Sequence, residues 1–404
     1  MPTERSPLLP HSASHRPASS AFGGFYKAWH EAKAIMSSNH LHWLLAIVPF
    51  AITAPNRSWS PVKVFATNFF AIMPLSAVLS LAIERISMNL GAEPKEMLRA
   101  TSGNAVEFVV GILALKHDLF TLARSIVLGS ILFSLLPNMG LCFFLGGIAN
   151  MRDRVTVLGS EQCFPQGTAQ TICTVIAVPM TSVAMSAILS SEFGDEHPAK
   201  RDQSILAFSR GAAIIFLLLY VTYHWFKSRT HSDLFCDETP PDETEDSVIS
   251  IVAATAVLAI TVALAVVCAD NLVGSINPFA EVTHVGPDFI GFFLVPIAIN
   301  AAKASAAVGK ATRNRMDLAM DIILNSITET GLLVAPCLVI LTWALFHKSM
   351  TLQFELVPTV TYVFATLAAA VVVRDGRSNY LEGALLLGFY VIIGLAVFFG
   401  PVDG

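Results

Sequence analysis

Apolar runs near or above the length needed to cross roughly 30 Å of hydrocarbon recur along the whole chain. Eleven can be counted, centred near residues 48, 73, 109, 134, 179, 216, 258, 298, 330, 364 and 390, with short polar stretches between them. The pattern predicts an all-α polytopic membrane protein of about 11 transmembrane helices. No soluble domain of ordinary size is left over, so function is expected inside the bilayer.

Composition agrees: 54% of the 404 residues are hydrophobic and only 14% are charged, against about a quarter in an ordinary soluble domain. The net charge of -5 offers no nucleic-acid surface. No Ser/His/Asp or zinc-ligand spacing sits in a plausible pocket, so no enzyme activity and no resident cofactor are expected. The six cysteines lack CxxC spacing, and four of them (Cys142, Cys173, Cys268 and Cys337) sit inside apolar runs as small core hydrophobes.

Lys and Arg accumulate in short cytoplasmic loops, which gives an orientation. Placing the N-terminus in the cytosol puts about 16 basic residues on that side and about six on the other, leaving out Arg124, Arg210 and Lys303, which fall within or at the edge of spans. An odd span count then puts the C-terminus across the membrane. Residues 1–40 are polar, rich in Ser, Pro and His, and read as a disordered cytosolic tail. The tail's "ERSPLLP" fits an acidic dileucine signal at Glu4, Leu8 and Leu9, the kind of address a sorting adaptor reads. The stretch 232–247, "SDLFCDETPPDETEDS", holds seven acids and no Lys or Arg, and reads as an acidic cytosolic loop.

The charge in the middle of two spans is the informative feature. Residues 102–133 align without a gap on residues 298–329 at an offset of 196, so that Asn104 falls on Asn300, Glu107 on Lys303, Ser130 on Ser326 and Phe133 on Glu329. A repeated pair of spans indicates duplication. The expected organisation is an extra first helix at 41–60, a five-helix repeat at 61–231, the acidic loop, and a second five-helix repeat at 248–404. An odd number of spans per unit inverts the second unit, and in inverted-repeat transporters the ion site lies near the midplane between the copies. Gly103 and the neighbouring alanines permit close helix approach, while Asn104 and Asn300 offer amide oxygens suited to a hard cation. An acid at mid-span costs about 2.5 kcal/mol or more, so Glu107 reads as functional.

The segments "GNAVE" (103–107), "LGS" (128–130), "SRGAAII" (209–215), "RMDLAM" (315–320), "VAP" (334–336) and "DGRSNYLEGALLLG" (375–388) together resemble the cation/proton exchangers, the vacuolar calcium/proton antiporters of the calcium/cation antiporter superfamily. The resemblance runs from about residue 60 to the C-terminus. It implies two inverted five-helix units, a multi-pass protein of a vacuolar or other acidic-organelle membrane, and exchange of lumenal protons for cytosolic calcium. It also implies that Glu107 is the first-repeat calcium carboxylate and that Glu84 lies in the ion pathway. On that basis the expected pathway comprises Glu84, Gly103, Asn104, Glu107, Ser130, Asn300, Lys303, Ser326 and Glu329, with Glu107, Asn104, Asn300 and Glu329 as cation ligands.

The second repeat departs from that family. Its motif has Gly, Asn and then Glu-His, where this chain has Ile299, Asn300, Lys303 and Ala304; two glycine positions hold Asp321 and Asn325, and a glutamine becomes Glu329. At an effective dielectric near 20 and about 5 Å, an ammonium repels a divalent ion by roughly 6 kcal/mol. Glu329 is the available compensation, and an ion pair between Lys303 and Glu329 is expected. Two other readings fit the same residues: monovalent or proton-linked transport with Lys303 as a tethered cation, and a transport-inactive regulatory membrane protein.

Overall fold

A computed structural model of the protein describes residues 40–57, 59–90, 98, 103–152, 159–193, 198–231, 251–346 and 350–399. The dileucine tail and the acidic loop 232–247 lie outside the described residues. Each of the eleven expected span centres falls inside a helix. These are α1 (Trp43–Thr53), α2 (Pro61–Ser87), α3 (Ala105–Lys116), α4 (Phe120–Ala149), α5 (Gln166–Glu192), α6 (Pro198–Thr230), α7 (Ile251–Thr283), α8 (Pro287–Thr312), α9 (Met316–Leu345), α10 (Leu356–Val373) and α11 (Tyr380–Phe398). Among the described residues, nine are long and apolar enough to cross a membrane, while α1 and α3 are shorter.

The helices sort by how much of themselves they hide. The apolar window of α4 is 94% buried and that of α11 only 17%, so α4 is central and α11 faces lipid. Helices α2 and α7 pack along each other, with the Phe65 and Phe279 rings stacked at 4.2 Å.

Connections alternate between two faces of the bundle. On one face the strands β1 (Gln162–Cys163) and β2 (Arg377–Ser378) pair antiparallel, and Gln162 Nε2 donates to the Ala311 carbonyl at 2.9 Å and to Asn314 Oδ1 at 3.0 Å. On the other face Arg124 Nη1 donates to the Gln353 carbonyl at 2.7 Å, and the Leu352 amide donates to Ser209 Oγ at 2.9 Å.

The repeat seen in the letters recurs in the backbone. Both α4 and α9 are interrupted midway by a wider turn of π-helix, at Ser134–Asn138 and Thr330–Val334, positions that differ by 196, and α9 runs into a further π turn at its end, Thr342–Phe346. The turns that precede α4 and α9 carry left-handed residues at Asp118 and Asn314, again 196 apart, with φ of 64° and 60°. Prolines account for part of the widening. A proline offers no N–H to the carbonyl four residues back, and the π turns of α4 and α9 lie against Pro137 and Pro336, while α8 widens at Ile290–Leu294 just before Pro296.

Close backbone approach joins the two units. A Cβ at Gly129 in α4 would collide with the backbone carbonyl of Phe292 in α8, and one at Gly383 in α11 would collide with the backbone of Phe144 and Gly140 in α4. Since backbone cannot yield as a flexible side chain does, Gly129→Ala is expected to destabilise by about 1–3 kcal/mol. Thermal unfolding of the detergent-purified variant, compared with Gly274→Ala, where a Cβ meets open space, checks this.

Candidate functional site

The site lies where the short helix α3 begins. From Glu107 to the turn residue Asp118 is 11 residues, or about 16 Å of helix, and the same count separates Lys303 from Asn314. Since those two turns lie on opposite faces, Glu107 and Lys303 both sit near the middle of a layer roughly 30 Å thick. Glu107 is in the first turn of α3, three residues past Asn104 at its N-terminal boundary. The unpaired amides and dipole at that end favour negative charge there.

The duplicated asparagines cross-link the repeats. Asn104 Nδ2 donates to Thr330 Oγ1 at 3.2 Å and to the Ser326 carbonyl at 3.4 Å. Asn300 Nδ2 in turn donates to Ser130 Oγ at 3.2 Å and to the Pro296 carbonyl at 3.1 Å. Thr330, in the π turn of α9, donates its hydroxyl to Glu107 Oε2 at 2.9 Å. Ser134 and Ser326 share a hydrogen bond at 3.1 Å across α4 and α9. The structure thus brings together Asn104, Glu107, Ser130, Asn300 and Ser326, as expected, and adds Thr330 and Ser134. Thr330 was legible in principle, because it is the repeat mate of Ser134 and a hydroxyl one residue past Glu329.

These bonds consume the amide nitrogens and leave oxygens. Glu107 Oε1, Asn104 Oδ1 and Asn300 Oδ1 are buried and accept no hydrogen bond. Leaving such an oxygen unsatisfied costs about 1–3 kcal/mol, more for a charged group. A hard cation takes oxygen ligands, and of these residues Asn104 and Glu107 line one cavity while Asn300 does not. A cavity of about 10 Å³, the space of about one water, is lined by Ser76, Ser80, Gly103, Asn104, Glu107 and Lys303, with Val106, Leu79, Ile299 and Ala302 around them. Ser76 and Ser80 give their protons to the carbonyls of Met73 and Ser76, which leaves their oxygens as acceptors. Glu84 continues the stripe 76, 80, 84 along α2, one turn beyond the cavity lining.

Lys303 enters the same cavity, and its ammonium makes only a long contact, 3.5 Å, to Ser326 Oγ. The expected ion pair with Glu329 is not formed. Glu329 is buried and within electrostatic reach of Lys303, Glu107, Lys227 and Asp321, but it does not line the cavity. The Lys303 side chain lines the cavity instead, with Ser326 Oγ as its hydrogen-bond partner; at about 100° per residue Glu329 and Asp321 lie about 80° apart around α9, so the two acids do not converge. Asp321 turns instead to α6, where Lys227 Nζ donates to Asp321 Oδ1 at 2.6 Å and to Asn325 Oδ1 at 2.9 Å. With every group ionised, the formal charges at the centre, Glu107 and Glu329 against Lys303, sum to -1, and the Lys227–Asp321 pair leaves that sum unchanged.

The chain matches the family described as sodium/calcium exchanger protein over residues 60–229 and 253–399, most of its length. It belongs to that family. Among relatives of this exchanger, the vacuolar calcium ion transporter of Schizosaccharomyces pombe is 32% identical over 98% of this chain and 93% of its own. The Ca(2+)/H(+) antiporter of Aphanothece halophytica is 31% identical over 89% and 96%. Of solved structures, native YfkE superposes with a TM-score of 0.71 at 29% identity, covering 89% of this chain and 99% of its own. The H+/Ca2+ exchanger CAX shares the fold, with a TM-score of 0.69 at 13% identity.

Two substitutions probe the site of this exchanger. Thr330→Val removes the donor that holds Glu107 and is expected to weaken cation binding about tenfold, the loss of one hydrogen bond to a charged group, while the protein stays folded. Equilibrium binding of radioactive calcium to the purified protein measures it. Because Lys303 and Glu329 are not in direct contact, Lys303→Ala and Glu329→Gln are expected to couple by less than about 1 kcal/mol in a double-mutant thermal-stability cycle. A coupling of about 3–5 kcal/mol would mark a direct buried pair.

Proposed function

We propose that this exchanger is a secondary active cation/proton antiporter that moves calcium, or a related divalent cation, into an acidic vacuole in exchange for protons. The observation that carries this reading is the pair of buried oxygens without donors, Glu107 Oε1 and Asn104 Oδ1, that line one cavity between the repeats, with Asn300 Oδ1 likewise buried and unpaired outside its lining. The names of the relatives supply the ion and the membrane: a vacuolar calcium ion transporter and a Ca(2+)/H(+) antiporter. Glu107 is the group that either a proton or the cation occupies, so that loading one displaces the other. Transported cation, protons and membrane lipid are then its partners. The cytosolic side is assigned to the face that holds β1, β2 and the turn at Asn314, with the N-terminus on that side.

Lys303 supports a second reading. With a formal charge of -1 at the centre when all three groups are ionised, a divalent ion leaves one uncompensated positive charge in a low-dielectric region, whereas a monovalent ion leaves none. Transport of sodium or another monovalent cation is the alternative on that ground.

Vesicles containing the purified protein, acidified inside and supplied with radioactive calcium, manganese or sodium, decide between these. Calcium or manganese uptake that a protonophore abolishes is expected, with loss of at least nine-tenths of it in Glu107→Gln. Sodium uptake alone would establish the monovalent reading, and no uptake of any ion would leave a regulatory role. In cells, a tag at the N-terminus is expected in the cytosol and one at the C-terminus in the lumen; protease protection reads both.

A further inference from the structure

One arginine inside a span is left without an anionic partner. Arg210 belongs to the "SRGAAII" segment of α6, which the cation cavity does not use. Its guanidinium carbon lies 4.7 Å from the centroid of the Trp343 ring, near the end of α9. Its Nε is buried and has no hydrogen-bond partner, and among the described residues no carboxylate pairs with it. Arg124, an arginine of α4 toward the same face, is in a different state, since it donates to Thr121, Thr351 and the Gln353 carbonyl. A guanidinium keeps its charge and carries five N–H donors in a fixed fork that matches phosphate. The Trp343 ring attracts that charge through its face but offers no lone pair to an N–H. A charge within a span is costly unless it is paired, so the fork calls for an anion.

Depth identifies the source of that anion. Ser209, next to Arg210, accepts the Leu352 amide at 2.9 Å on the face opposite β1 and β2. Toward the β1–β2 face, Lys227 of α6 and Asp321 of α9 meet at 2.6 Å. From that pair, α6 runs about 26 Å back to Arg210 and α9 runs about 33 Å on to Trp343, at 1.5 Å per residue. The two lengths bracket the roughly 30 Å of hydrocarbon, so Arg210 and Trp343 stand at headgroup level, where tryptophan collects. Because α6 begins on that face, its side chains lean toward it, and a long Arg210 reaches outward to the headgroups. Ile214 and Leu218 follow Arg210 at i+4 and i+8, and both are exposed, as is Trp343. They form an apolar track that runs from the guanidinium toward the membrane centre.

We propose that Arg210 and Trp343 bind the phosphate of an anionic phospholipid in the leaflet opposite the β1–β2 face, with an acyl chain laid along Ile214 and Leu218. The guanidinium donates to the phosphate oxygens, and the indole covers it from the side. Since no carboxylate pairs with Arg210, nothing there holds the ammonium of a zwitterionic headgroup, and a lipid with net negative charge is preferred. The bound lipid joins α6 to the end of α9, the helix that supplies Thr330 to Glu107.

Native mass spectrometry of the detergent-purified full chain, incubated with equimolar phosphatidylglycerol and phosphatidylcholine, tests the site. The parent is expected to retain one phosphatidylglycerol per chain at least fivefold more readily than phosphatidylcholine. Arg210→Gln should abolish that preference and Arg210→Lys should keep part of it. Trp343→Leu, which keeps the charge and removes the ring, should lower it about threefold, and this arm stands if Arg210→Gln does not fold. Arg201→Gln, near the start of α6 where Arg201 pairs with Asp202 at 3.2 Å, should leave it unchanged. Equal retention of the two lipids by the parent would make Arg210 and Trp343 an interfacial anchor only and overturn the site. A preference that survives Arg210→Gln, or that Arg201→Gln removes as well, would overturn it too. Displacement of the bound lipid by millimolar inorganic phosphate would show a site for free phosphate and overturn the lipid assignment.

Discussion

Everything near the centre of this exchanger depends on holding a carboxylate in the middle of the membrane without water around it. Glu107 meets that constraint with three devices: the N-terminal end of a short helix, a hydroxyl from Thr330, and an amide neighbour whose nitrogen is occupied elsewhere. Each of these in turn requires structure at a distance. The helix α3 must begin at mid-depth, the π turn of α9 must place Thr330 one residue past Glu329, and Gly129 must let α4 approach the α8 backbone closely. The duplicated asparagines then cross between the repeats, so the candidate cation oxygens lie where the two halves meet.

The second repeat uses the same scaffold for different charges. Lys303 occupies the position equivalent to Glu107 and shares its cavity, so this exchanger carries a tethered ammonium beside its candidate cation ligands. The two acids that accompany it in sequence are not its direct partners. Asp321 pairs with Lys227 of α6, and Glu329 lies between the cavity and that pair, acted on by both. The cavity thus holds Glu107 and Lys303 with the candidate oxygens, while the Lys227–Asp321 pair lies apart from it between α6 and α9.

The architecture was largely legible in the sequence, because burial in hydrocarbon leaves a length signal and duplication leaves a register. All eleven expected centres fall in helices, and the offset of 196 reappears in the π turns and in the left-handed residues Asp118 and Asn314. Glu107, Asn104 and Asn300 were found because an acid or an amide at mid-span demands a reason. The Lys227–Asp321 pair was not legible. It joins residues 94 apart on helices whose adjacency no periodicity encodes. The expected contact of Lys303 with Glu329 failed for a related reason: helical spacing ranks the faces of one helix but does not say which way a long side chain on the neighbouring helix turns, and Lys303 reaches into the cavity and to Ser326.

The central claim is that one cation and protons compete for the oxygens around Glu107. Calorimetric titration of calcium into the purified protein, repeated in buffers of different ionisation enthalpy, measures it directly by giving the ions bound and the protons released per chain. The expected result is one calcium per chain with release of at least one proton, and loss of both in Glu107→Gln with Asn104→Ala and Asn300→Ala. Calcium binding that releases no proton, or that persists unchanged in the triple variant, would contradict the account.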